Sequence, residues 1–190
     1  MAQRNQEALE FLLGRRSRPA KTLVGPGPDK ANLQIILTAA ARTPDHGKLE
    51  PWRFIVMNKQ ALAKIAEQVS ARAQILGLDE DQISKARRSY DTGPMAVAVV
   101  EIQKPSEKIP AIEQTYSAGA VCLALLNAAL AHGWGANWLS GWPSHDREFV
   151  TNAFGLAENE RVAGLIYIGT ETSRPPERTR PNLEDIVTWL

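Results

Sequence analysis

The chain has almost no cysteine: Cys122 stands alone in 190 residues. With no internal disulfide available, the expected setting is a reducing one, the cytoplasm. Charge of one sign is missing too. Lys and Arg number 22 against 21 Asp and Glu, a net charge of +1. That excludes a global field for nucleic acid or for an anionic membrane, so electrostatic roles must be local. The most hydrophobic stretch, residues 118–131, contains Gly119 and Asn127. It is shorter than the roughly 18–20 residues that span a bilayer, so no membrane partner is expected. At the N-terminus, Glu7 and Glu10 interrupt any apolar targeting segment.

Familiar catalytic signatures are missing as well. There is no glycine-rich dinucleotide or phosphate loop, no H-E-x-x-H, no C-x-x-C and no G-x-S-x-G elbow. His46, His132 and His145 are scattered and make a poor metal cage. If the chain is an enzyme, a cofactor supplies the reactivity, with no side chain as acid, base or nucleophile.

What is present is ordinary globular usage, 44% hydrophobic and 23% charged. The length suits one domain, residues 1–190. An amphipathic helix opens the chain and ends near Gly14. Asp29 reads as the N-cap of a second helix, whose stripe is Leu33, Ile36, Leu37 and Ala40. Residues 52–57 read as a strand, and Leu62, Ile65, Ala66, Val69 and Ala73 as the buried stripe of a third helix. Residues 79–90 suit a fourth, mostly exposed helix. Residues 95–102 form a near-continuous apolar run, as in a strand covered on both faces. Residues 116–132 read as a long helix apolar nearly all round, and 136–139 as a short strand. Ser144 is a candidate cap for a helix reaching Phe154, and residues 162–168 are the last core strand. The tail ends in Ile186, Val187, Trp189 and Leu190. An apolar tail and an all-apolar helix together suggest an obligate homodimer.

Four stretches could carry chemistry. Arg15-Arg16-Ser17, with Arg18 behind, offers forked donors for a phosphate, or is merely a basic helix end. Residues 41–52 hold Arg42, His46 and Trp52 and are either a polar connector or a ligand loop. Residues 133–142 carry three tryptophans and three glycines. They suit either a tight turn with core aromatics or the wall of a flat ligand. Arg174, Arg178 and Arg180 lie among prolines, as a surface linker or a second arm of a phosphate clamp.

In this order, and with Ser117-Ala118-Gly119-Ala120 and residues 164–170, these stretches resemble the nitroreductase family of FMN-dependent oxidoreductases, most of all its minimal YdjA-type members. The resemblance implies an α+β sandwich: a central, mostly antiparallel sheet flanked by helices, with the C-terminal strand exchanged between two protomers. It implies FMN at the dimer interface and NAD(P)H as co-substrate. Arg15, Arg16 and Ser17 would hold the phosphate and ribityl chain, and Arg178 and Arg180 would close on the phosphate. Arg42 and His46 would come from the neighbouring subunit. Trp138, Leu139 and Ser140 would lie along the flavin ring, and residues 128–133 near the NAD(P)H entry. Leu139 stands where related chains carry arginine.

The activity so implied is ping-pong hydride transfer from NAD(P)H, through N5 of FMN, to a nitroaromatic or quinone-like small-molecule acceptor. The alternatives are a flavin-binding or sensing module without turnover, and a dehalogenase-type relative of the same fold. Cys122 reads as a small hydrophobe in the long helix.

Overall fold

A computed structural model describes residues 3–190. Its helices are α1 (Gln6–Gly14), α2 (Lys30–Ala40), α3 (Lys59–Ile75), α4 (Glu80–Thr92), α5 (Ala111–Ala131), α6 (Arg147–Phe154) and α7 (Leu183–Ile186). Its strands are β1 (Leu23–Val24), β2 (Trp52–Asn58), β3 (Met95–Ile102), β4 (Gly135–Leu139) and β5 (Glu160–Glu171). Every pairing is antiparallel.

β5 is the hub of the sheet. It pairs with β1, β3 and β4, and β2 pairs with the outer side of β3. Tyr167 is opposite both Ala96 of β3 and Asn137 of β4, so these two strands lie on opposite edges of β5. Side chains alternate across a strand. Ala96, Ala98 and Val100 therefore enter one core, with Leu62, Val69 and Phe149 from α3 and α6. Val97 and Val99 enter the other, with Ile36, Val121 and Leu125 from α2 and α5. The result is helices, sheet and helices in three layers. β3 is apolar from Met95 to Val100 because both faces are covered there, each large side chain contributing about 1.5–3 kcal/mol on burial, and only Glu101 near its end carries charge.

Local signals act as their chemistry dictates. The side chains of Asp29, Asn58 and Asp79 each accept a backbone N–H in the first turn of α2, α3 and α4. The stripe expected in the third helix is the buried set of α3.

Two expectations need correction, the start of α5 and the cap of α6. α5 begins at Ala111, five residues before the expected 116, because Pro110 marks its start and the polar first turns hide the apolar pattern. At 21 residues it is long and apolar enough to cross a membrane by length and composition alone. In this fold Val121, Cys122, Leu125, Leu126 and Ala129 of α5 are packed in the second core. The cap of α6 is Asp146, whose carboxylate accepts from the Phe149 N–H at 2.7 Å, and Ser144 lies in the preceding 3-10 turn. The tail forms α7 and then an irregular, exposed end, with no strand inside the single chain.

Candidate functional site

α1 ends at Gly14, and Arg15 turns the chain into extended backbone. The segment is then fastened to β4. The Arg18 N–H donates to the Ala136 carbonyl at 2.8 Å, and Asn137 Nδ2 donates to the Arg18 carbonyl at 2.6 Å. This fixes three arginines beside the end of α5. Arg15 Nη2 donates to Ser17 Oγ at 3.0 Å, and Arg18 pairs with Glu171. Arg16 donates through Nε and Nη2 to the Pro176 carbonyl, at 3.3 and 3.1 Å. Arg180 reaches the Arg15 carbonyl at 3.5 Å and pairs with Glu177 at 2.8 Å.

The chain thus brings Arg15, Arg16, Ser17 and Arg180 to one corner. Arg178 gives its backbone N–H to Glu177 at 2.9 Å, while its side chain is exposed and unpartnered among the described residues. A hollow of about 320 Å³ opens here, between Phe11, Arg15, Arg16, Arg18, Leu130 and Trp134. Its cations are crowded. Burial, then Arg180, Arg16 and Arg18, lower the pKa of Arg15. Arg15 Nε is buried with no hydrogen-bond partner. A buried orphan donor among like charges is costly unless an anion meets it. The donor set fits a phosphate monoester, the anionic end of a mononucleotide. Two carboxylates reach the corner: Glu171, which lines the hollow and pairs with Arg18, and Glu177 from the C-terminal segment. Glu177 is held below its usual range by the Arg178 N–H, then by Arg180 and Arg16.

The other half of the site is the end of β4. Trp138 lies over Gly164 of β5, where a β-carbon would overlap the indole. Leu139, opposite Leu165, packs against the first core. Ser140 Oγ and His145 Nε2 are 2.9 Å apart. Leu139 and Ser140 border a cleft of about 950 Å³, walled by Tyr90, Trp142 and Leu165 and rimmed by Lys21 and Lys85. Trp142 packs edge-on against Phe149 (ring centroids 6.1 Å), and its buried Nε1 has no partner. Residues 15–21 border both spaces: arginines line the hollow, Ala20 and Lys21 the cleft. A basic hollow and an apolar cleft on one short segment suit a ligand with a phosphate and a flat ring.

Arg42 and His46 lie elsewhere. His46 Nδ1 is 2.6 Å from Glu113 Oε2 on α5. Their loop is pinned there by Ser117, which donates to the Pro44 carbonyl at 2.9 Å and accepts from Trp52 Nε1 at 3.2 Å. Gly47, Lys48 and Glu50 all have positive φ, a held conformation in the two non-glycine residues. Neither Arg42 nor His46 lines the hollow or the cleft of its own chain.

Sequence reasoning missed Tyr90, Lys85 and Glu177 as parts of the site. Trp142 belongs to the 133–142 stretch that the sequence put forward, and it walls the cleft. Tyr90 and Lys85 sit on a helix whose linear pattern reads only as an exposed face. Cys122 takes no part, and burial pushes its thiol up to about 12.

The nitroreductase family ("Nitroreductase family") matches residues 13–170. "Putative NAD(P)H nitroreductase YdjA" of Escherichia coli (strain K12) is 36% identical over 164 residues, 86% of this chain and 88% of that one. Among solved structures, a nitroreductase-like family protein from Bacillus cereus has a TM-score of 0.81 at 21% identity, covering 100% of this chain and 98% of that one. A nitroreductase with bound FMN from Bacteroides fragilis NCTC 9343 has a TM-score of 0.75 at 22% identity, covering 98% and 100%.

Proposed function

The chain belongs to the nitroreductase family, and from that premise we propose that it is an FMN-dependent NAD(P)H oxidoreductase of nitroaromatic or quinone-like acceptors. The observation that carries the cofactor is the orphaned Arg15 Nε in a cationic hollow, joined by residues 15–21 to an apolar cleft. Arg15, Arg16, Arg18 and Arg180 hold the phosphate, with Ser17 orienting Arg15. Leu139, Tyr90 and Trp142 keep water from the ring, and Lys21 and Lys85 balance negative charge at the cleft rim. Bound FMN would supply the redox chemistry, accepting hydride from NAD(P)H and yielding it to the acceptor in a ping-pong cycle. The protein's own share is position, dryness and charge.

The second part of the proposal is a homodimer. α1 buries none of its residues in the single chain. Leu13 is 76% exposed, Tyr116 69% and Trp189 91%. Such apolar surface calls for a cover, and a second copy would supply it. It would also bring Arg42 and His46 to the neighbouring flavin and give the tail an edge to join. A cytoplasmic setting goes with this reading, since the lone thiol is buried and unpaired.

An absorption spectrum of the purified protein with added FMN, before and after NADH or NADPH, tests the function. Flavin bands that bleach are the expected result. A colourless protein that takes up no FMN sinks it, and flavin that binds but does not bleach favours a module without turnover. Sedimentation at a dimer mass is the expected result for the second part, and lone protomers contradict it.

A further inference from the structure

We propose that the cleft beside Leu139 selects planar aromatic acceptors that carry an acid group, such as nitroaromatic or quinone carboxylates. This rests on the reading of the cleft as the place where the electron acceptor is received.

The cleft is rich in cations and, among the described residues, holds no free carboxylate. Lys21, Lys85 and Arg88 border it, and none has an ion-pair partner among the described residues. Trp142 adds a buried indole N–H with nothing to receive it. The one carboxylate on the lining, Asp146, is already spoken for. It takes Arg72 Nε and Nη2 at 2.9 and 3.0 Å and the Phe149 N–H at 2.7 Å. The Gln82 amide oxygen is likewise committed, accepting the Asp79 N–H at 3.0 Å in the cap of α4. Ser140 and His145 satisfy one another.

A cationic or amine-bearing ring would find no free carboxylate among the described residues of the lining and would meet like charge at the rim. A carboxylate finds cations, and nitro or carbonyl oxygens find the indole N–H. The walls, Leu139, Leu165, Tyr90 and Trp142, suit a flat apolar ring. At about 950 Å³ the cleft is at the large end for a small-molecule site, with room for a ring stacked on a cofactor. Leu139 fits this division of labour, since it leaves the charge to the rim and presents only an apolar surface.

The test compares 4-nitrobenzoate with 4-nitrobenzyl alcohol, which share ring and nitro group and differ in charge, on the FMN-loaded enzyme. The expected kcat/KM ratio favours the acid by roughly threefold to tenfold at low salt, and shrinks at about 0.5 M salt as exposed charges are screened. Lys85→Gln should raise KM for nitrobenzoate severalfold more than KM for the alcohol or for NADH. Equal kcat/KM for the pair overturns the inference. So does a Lys85→Gln effect confined to NADH, which would assign the rim to the dinucleotide. Benzoate binding by titration calorimetry gives a readout apart from turnover. It should be saturable, one per chain, and weakened by both Lys85→Gln and Trp142→Phe, and unaltered affinity in both variants overturns the proposal. Flavin that bleaches with NADH while both acceptors react equally removes this inference and leaves the proposed function standing. Flavin that never bleaches removes the proposed function, and the benzoate titration then decides the charge preference alone.

Discussion

The indole of Trp138 on β4 is seated on Gly164 of β5, in the space a β-carbon there would occupy. The glycine is what lets an aromatic ring from the neighbouring strand lie down at the sheet surface.

Gly164→Ala should therefore lift Trp138 off the sheet. The ring is already 38% exposed and has somewhere to go, so the cost is about 1 kcal/mol, with a red shift in tryptophan emission. Gly93→Ala should cost more, about 1–3 kcal/mol. There the new atom meets the Ser89 carbonyl and the fully buried Tyr167 ring, neither of which can step aside. Urea denaturation of both variants checks the order, and a smaller loss at Gly93 would contradict it.

Arg16→Ala should weaken FMN binding tenfold to a hundredfold, the worth of a charge-assisted bond of about 1.5–3 kcal/mol. Arg178→Ala should do much less, because its side chain has no partner at the corner. Glu177→Gln should tighten binding, because it removes the carboxylate that competes for Arg16 and Arg180. Quenching of flavin fluorescence on titration reads all three. Weaker binding by Glu177→Gln would show that the carboxylate supports the corner instead of competing for it.

Glu101 sets part of the acid limit of stability. It is 2% exposed, and Arg161 donates to it at 2.5 and 2.8 Å, Thr115 at 2.8 Å, and Gln103 besides. Burial pushes its pKa up, but these donors outweigh burial and hold it below the usual range. A carboxylate with a depressed folded pKa stabilises the fold above its unfolded pKa, about 4.3 for Glu. That contribution is lost as pH falls from there through the folded value. Glu101→Gln should cost about 1–3 kcal/mol at neutral pH and flatten the fall in melting temperature below about pH 4.3. An unchanged acid limb would exclude Glu101 as its source.

Cys122 should be inert in the folded protein. Its thiol is buried and pushed up to about 12, so almost no thiolate exists at neutral pH. A thiol reagent should label it only after denaturation, and Cys122→Ala should leave FMN affinity unchanged. Fast labelling of the native protein would contradict the packing of α5.

Periodicity and capping chemistry are local, and they were legible. The stripe from Leu62 to Ala73, the cap at Asp29 and the two-sided burial of residues 95–102 each follow from residues within a few positions of one another. The cap of α6 was misplaced because Ser144 and Asp146 are both good caps, and only the 3-10 turn through Trp142–Ser144 chooses between them. The start of α5 was hidden for a different reason. Gln114, polar and buried, exchanges hydrogen bonds with the backbone of Lys104, a partner no helical pattern reveals.

By itself the sequence determined the helices, the core strands, the clusters of arginine and the family likeness, because each rests on residue type and short spacing. Only the tertiary structure decided which of those residues meet. It set Arg180 against Arg15 across 165 positions, opened the cleft between Tyr90 and Leu139, and kept Arg42 and His46 apart from both. The physical reason is that the sheet pairings and the packing of α4 and α5 on its two faces fix those distances, and no local preference encodes them.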